Sequence, residues 1–218
     1  MSAHDTLEDY EKNRRQFERG KHSASSGRGK HSLPEEEKSS GARGFLDIII
    51  VIVVAVGLTL FIRAFVVGTY KIPSQSMADT IEVNDRVFSE RITYHFQDVQ
   101  QGDIITFMNP DGSGTTLIKR VIATGGQTVD LIDGRVYVDG VPLDEPYTDG
   151  KPSDPLDTQL TGVTVEFPYT VPEGYLWVMG DNRTNSKDSR YFGAIPEDSV
   201  TGRAIYTYWP VSNMGKLE

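Results

Sequence analysis

Two short segments of this chain place hydroxyl groups and an amine among neighbours that could alter their reactivity. PSQSM, residues 73–77, carries Ser74 and Ser76 behind a proline, and TTLIKRVIATGG, residues 115–126, embeds Lys119 and Arg120 in an apolar run. A free lysine titrates near pH ~10.4 and is a poor base at neutral pH because it is already protonated. Burial disfavours the cation and shifts a fully buried lysine by about 3–5 units. A neutral amine could then take the hydroxyl proton of a serine, the work of imidazole in a triad. A shift of about 3 units costs about 4 kcal/mol, which packing must supply. The apolar flank of Leu117, Ile118, Val121 and Ile122 suits that role. Successive strand residues point to opposite faces, so Lys119 and Arg120 cannot both face solvent. One of them is buried or at a rim. Alone, PSQSM reads first as an ordinary serine-rich turn.

Other hydrolytic chemistries fit less well. Three of the four histidines, His4, His22 and His31, lie near the N-terminus, and the fourth, His95, sits in the polar stretch TYHFQDVQQG, which reads as surface. A zinc hydrolase needs about three ligands including His, and no HExxH-like cluster occurs. With no cysteine, disulfides, thiol catalysis and thiolate metal sites are excluded. A third polar segment, GDNRTNSKDSRYFG at residues 180–193, follows the apolar run YLWVM. Read by itself it is either a loop of local Asx turns or a set of hydroxyls and carboxylates that orients a buried amine.

The elements that must hold these groups follow from composition. The 218 residues allow one domain with a core plus appendages. The net charge of −9 is unevenly spread: residues 1–44 carry nine Lys/Arg and eight Asp/Glu, whereas residues 68–218 carry twelve and twenty-two. So acidic a domain argues against nucleic acid as a partner. Residues 1–44 are polar and predict a disordered cytoplasmic tail. Residues 45–67, FLDIIIVIVVAVGLTLFIRAFVV, predict a transmembrane anchor: fifteen uncharged residues extended to 23, with Asp47 and Arg63 near the ends. No polar face marks it as a soluble helix, and no small-x-small site follows it as in a cleaved leader. Arg28, Lys30, Lys38 and Arg43 precede it while Lys71 stands nearly alone after it, which places the N-terminus inside and the C-terminal domain outside.

From residue 68 the pattern is mainly β and antiparallel, an extracytoplasmic domain over 68–218. Strands are expected at 86–88, 103–107, 116–122, 128–131, 135–138, 164–167, 175–179 and 202–208, separated by Gly, Pro, Asn and Asp turns. VDLIDGRVYVDG reads as a hairpin turning at Asp133-Gly134. Residues 141–162, rich in Pro, Asp and Gly, read as a long surface loop.

The three polar segments, in order behind an anchor, resemble the type I signal peptidase family in its single-anchor bacterial form. PSQSM matches the serine segment, except that Asp79 stands where the family has proline before Thr80; IKRVIATGGQTV, preceded by GDIITF, matches the lysine segment, and GDNRTNSKDSRYFG the last. The resemblance implies Ser76 as nucleophile and Lys119 as general base. It implies an oxyanion hole from the Ser74 hydroxyl and the Ser76 N–H, and Ser186 as the group that orients the lysine. Asp181, Arg183, Asp188 and Arg190 would support the site, and Ile72, Met77, Ile81, Leu117 and Ile118 would line pockets for small side chains at substrate positions −1 and −3.

The resulting expectation is a membrane-bound serine endopeptidase that removes signal peptides from exported preproteins through an acyl-enzyme, at the outer face of a bacterial plasma membrane. Ser76 lies about a dozen residues beyond the anchor, and the substrate is expected to add as a strand between residues near Ile72 and 117–119. Its partners would be preprotein signal peptides and the lipid bilayer, with no metal or organic cofactor; the oligomeric state stays open. Soluble self-cleaving repressor proteases share Ser and Lys but lack an anchor. A mitochondrial inner-membrane peptidase shares the chemistry. An anchored binding module would need no nucleophile.

Overall fold

The structure, a computed structural model, describes residues 40–62 and 66–217. The expected tail therefore falls, up to residue 39, outside the described residues. Helix α1, Ser40–Phe61, contains an 18-residue stretch, Gly44–Phe61, long and apolar enough to cross a membrane and with none of it buried. Its one hydroxyl beyond the first turn, Thr59, donates back to Ala55 O at 2.7 Å, which satisfies the group without water. The helix starts earlier than the apolar run and ends sooner. Val67 is already the first residue of strand β1, Val67–Lys71, paired with Glu90, so the last β-branched residue of the run serves a ladder.

The β region contains two sheets. The larger joins β1 to β2 (Arg86–Glu90), β11 (Val200–Trp209), β3 (Ile104–Met108), β4 (Thr116–Thr124), β9 (Tyr175–Met179) and β10 (Ile195–Pro196), with β12 (Gly215–Lys216) also on β11. The smaller has the order β7 (Val141–Pro142), β6 (Arg135–Val138), β5 (Thr128–Ile132), β8 (Tyr169–Thr170). Every pairing among them is antiparallel. The β5–β6 hairpin turns where the Asp-Gly pair foretells it: Asp133 has φ 49° and Gly134 φ 76°, the two positive values a type I′ turn requires.

Residues 164–167 are not a strand. Val165 N–H donates to the Gln159 side chain at 3.0 Å, and its carbonyl accepts from Gln159 Nε2, so a glutamine satisfies the backbone that a neighbour strand would have. Val165 is instead buried with Trp177, Met179 and Val129 between the sheets.

One irregularity matters for the site. β3 pairs with β4 from Arg120 out to Thr116, but β9 on the other side stops at Met179, opposite Arg120. Residues 116–119 thus have an edge with no strand partner among the described residues. Ile118 faces an apolar cluster of Ile72, Met77, Ile81, Val87, Ile104 and Ala204, while Leu117, one residue away, packs on a different cluster with Ile105, Phe107, Val121 and Phe192.

Candidate active site

At the inner end of that free edge Lys119 is 3% exposed, and its Nζ lies 2.6 Å from Ser76 Oγ. The amine also donates to Ile118 O at 2.9 Å. Burial pulls the Lys119 amine down from 10.5 to about 8, against the opposing charges of Asp188 and Asp181. Arg120 is buried too, at 2% exposure, so both basic residues of the strand are withdrawn from solvent. An alternating strand cannot hide two cations on one face, and each face provides for its own. Lys119 is lodged beside a hydroxyl, whereas Arg120 forms a two-pronged pair with Asp181, Nε to Oδ1 at 2.9 Å and Nη2 to Oδ2 at 2.8 Å.

The serine segment is fixed by the last polar segment. Ser76 O accepts from Asn182 N at 3.2 Å, and Asn182 Nδ2 donates to Gln75 O at 2.9 Å. Gly180 passes so close that a Cβ there would strike Ser76 O and Ser186 Oγ, which is why the position has none. Ser76 is itself nearly buried, and its N–H donates to no acceptor among the described residues. Ser74 is exposed, with Oγ 3.4 Å from Ser76 Oγ. Ser186 is buried, and its Oγ has no hydrogen-bond partner among the described residues.

The four supporting residues named from the resemblance are all buried. Asp181 takes a hydrogen bond from Thr80 Oγ1 at 2.6 Å besides its pair with Arg120. Asp188 pairs with Arg190, accepting from Nε and Nη2 at 2.9 Å each, and also accepts from Gly180 N at 3.1 Å. Arg190 returns to the segment by donating to Arg183 O at 2.7 Å. Each buried charge thus has a counter-charge and further partners, the condition for tolerating it.

Arg183 reaches elsewhere, to Glu145 (2.5 and 3.0 Å) and Ser153 Oγ (2.5 Å), and Tyr147 lays its ring 3.9 Å under the Arg120 guanidinium. Glu145, Tyr147 and Ser153 belong to the stretch read as a surface loop, and its middle is packed against the site. Burial raises the Tyr147 hydroxyl, with the Glu145 charge adding to the effect. Among the pocket residues, Ile72, Met77, Ile81 and Ile118 converge in one cluster and Leu117 turns to the other face of β4. His95 is exposed in the turn Thr93–His95, away from these groups.

A serine and a deprotonatable amine joined by a short contact, behind an open strand edge, is the arrangement of a peptide-bond hydrolase. The family model described as signal peptidase, peptidase S26, matches residues 45–209. The chain belongs to this family. The probable signal peptidase I-1 of Synechocystis sp. is 41% identical over 173 residues, spanning 76% of this chain and 83% of that protein. Signal peptidase I of Leptolyngbya laminosa is 42% identical over 171 residues, 75% and 79% of the two chains. The crystal structure of a signal peptidase I from Enterococcus faecalis is similar at 39% identity and a TM-score of 0.40, over 49% of this chain and 97% of that one. The protein is thus a serine endopeptidase of the signal peptidase I type, and the mainly antiparallel β fold behind an apolar helix accords with the expectation from sequence.

Proposed function

We propose that the chain cleaves signal peptides from exported preproteins by a Ser76–Lys119 dyad. The observation that carries this reading is the 2.6 Å contact between Lys119 Nζ and Ser76 Oγ, with the amine pulled down to about 8 by burial. A neutral amine has one lone pair and two N–H groups. The lone pair takes the Ser76 proton, one N–H is held by Ile118 O, and the second is left for the partnerless Ser186 oxygen. Ser186 orients the base once its hydroxyl oxygen accepts that N–H.

Ser76 Oγ attacks the carbonyl carbon of residue −1, and the oxyanion is met by the Ser76 N–H and the Ser74 hydroxyl. The amine hands its proton to the leaving amine, then takes one from the water that releases the acyl group. The preprotein lies as an added strand along residues 116–118, with the −1 and −3 side chains on the Ile72, Met77, Ile81 and Ile118 face. Asp181, Arg183, Asp188 and Arg190 hold the segment of residues 180–193 against Ser76. α1 anchors the enzyme in the plasma membrane, N-terminus inside and β domain outside, which brings the dyad to the side where preproteins emerge.

The test is cleavage of a purified preprotein by the detergent-solubilised chain, beside Ser76→Ala and Lys119→Ala. Both variants are expected to lose activity by about 10⁴-fold or more while keeping the wild-type circular dichroism, and the wild-type product should begin just after a small-x-small sequence. Turnover retained in Lys119→Ala would rule out the dyad.

A further inference from the structure

A strand added along β4 directs alternate side chains to opposite faces. The −1 and −3 side chains then meet the Ile118 face, and the intervening −2 side chain is sent to the face of Leu117. On that face the structure has a cavity of about 210 Å³. Its floor is Leu117, Leu160, Tyr191 and Phe192, and its rim includes Asp111 and Lys187. Asn109 and Asp111 of the β3–β4 turn place the cavity beside the outer part of the edge, next to Leu117, and Lys187, which follows Ser186 in the chain, lines it as well.

The cavity is a built feature. Leu160 N donates to Tyr191 O at 2.8 Å, which ties the long loop to the short helix α2, Ser189–Phe192. The Lys187 ammonium stands 4.8 Å from the Tyr191 ring centroid, so the rim cation is held to one wall. Phe192 is buried against Phe107 at a centroid distance of 6.1 Å and cannot swing in to fill the space.

We propose that this cavity is the subsite for the side chain at substrate position −2, accepting a medium-sized residue with an apolar stem, such as Leu or Gln. The inference rests on the substrate adding along residues 116–118. The apolar floor takes the stem, and the rim, with one charge of each sign, tolerates a polar tip without selecting a charge. Leu160 then sets the depth of the pocket and is a specificity-determining residue outside the dyad.

The experiment uses the full chain in detergent and one preprotein with alanine at −1 and −3 and Gly, Leu, Gln or Phe at −2. For the wild type, kcat/KM for Leu and Gln is expected to exceed that for Gly by about tenfold, the discrimination an apolar pocket gives for a few carbon atoms. Leu160→Trp, which fills the cavity, should erase that advantage and bring the Leu and Gln substrates down to the value for Gly. Leu160→Ala, which deepens it, should move the optimum to Phe. Equal kcat/KM for all four substrates in the wild type would overturn the subsite. So would variants that scale all four by one factor, the mark of a structural role. Lys119→Ala assayed on the same set keeps the two readings apart: activity retained there removes the dyad, while the wild-type ranking at −2 still decides the pocket.

Discussion

Raising the pH from 6 to 10 should switch this enzyme on along a curve set by one buried amine. Lys119 moves from 10.5 to about 8, chiefly by burial, with Asp188 and Asp181 resisting. At pH 7 about one-tenth of such amines are neutral, against about 0.03% for an unburied lysine, a gain of about 300-fold in competent base. On preprotein, kcat/KM should climb about tenfold per pH unit below 8 and flatten above about 9. Stability gives a second readout with a definite sign. The unfolded chain keeps this proton up to about 10.5, and the folded chain releases it near 8. Between those values the unfolded state binds more protons, so stability rises with pH, by about 3 kcal/mol in all. Below pH 8 the penalty is fully present. Lys119→Met should therefore melt above the wild type at pH 7, with the margin shrinking from pH 8 to 10.5. A rate that is flat from pH 5 to 10, or that rises only near 10.5, would refute the argument. So would a Lys119→Met variant less stable than the wild type at pH 7.

Three further outcomes follow from the packing around the dyad. Arg120→Met strands the buried Asp181 carboxylate with only Thr80 as a partner and should cost about 3–5 kcal/mol in urea unfolding; adding Asp181→Leu should recover much of that. Gly180→Ala forces a methyl against Ser76 O and Ser186 Oγ, and a displacement near 1 Å at a nucleophile predicts a loss in kcat of about 10²-fold with the fold retained by circular dichroism. Asp79 has φ 80°, which proline cannot adopt, so Asp79→Pro should lose both stability and cleavage; Asp79→Gly, which forfeits the exposed contact with Lys151, should stay within about 1 kcal/mol in thermal melting.

The parts legible in the sequence were those with local causes. The Asp133-Gly134 turn, the apolar run YLWVM and the lysine flanked by Leu117 and Ile118 each announce themselves within a few residues, and β5, β6 and β9 form where expected. β1 was hidden because Val67 ends an apolar run that reads as helix, and only its pairing with β2 shows otherwise. The reading of residues 164–167 as a strand failed for a related reason: Val165 is buried, as β residues are, but a glutamine side chain meets its backbone. Glu145, Tyr147 and Ser153 were illegible because their partners, Arg183 and Arg120, lie tens of residues away, and a stretch rich in Pro, Asp and Gly carries no sign of what it covers. Asn182 and Gly180 could have been found by asking what fixes the Ser76 carbonyl, a question that needs the fold. That Arg120 is as deeply buried as Lys119 follows from alternation only once each face is known to have its own occupant.

The open edge of β4 also bears on how the protein avoids itself. Unpaired strand edges invite other chains and, left long and flat, seed aggregation. This one is four residues long, closed at one end by the turn that returns from β3 and at the other by the start of the β9 ladder. Four residues offer only a few backbone groups, enough to hold a short extended peptide and too few to template a growing sheet. The edge that gives the substrate a place to pair is therefore kept safe by its brevity and its closed ends.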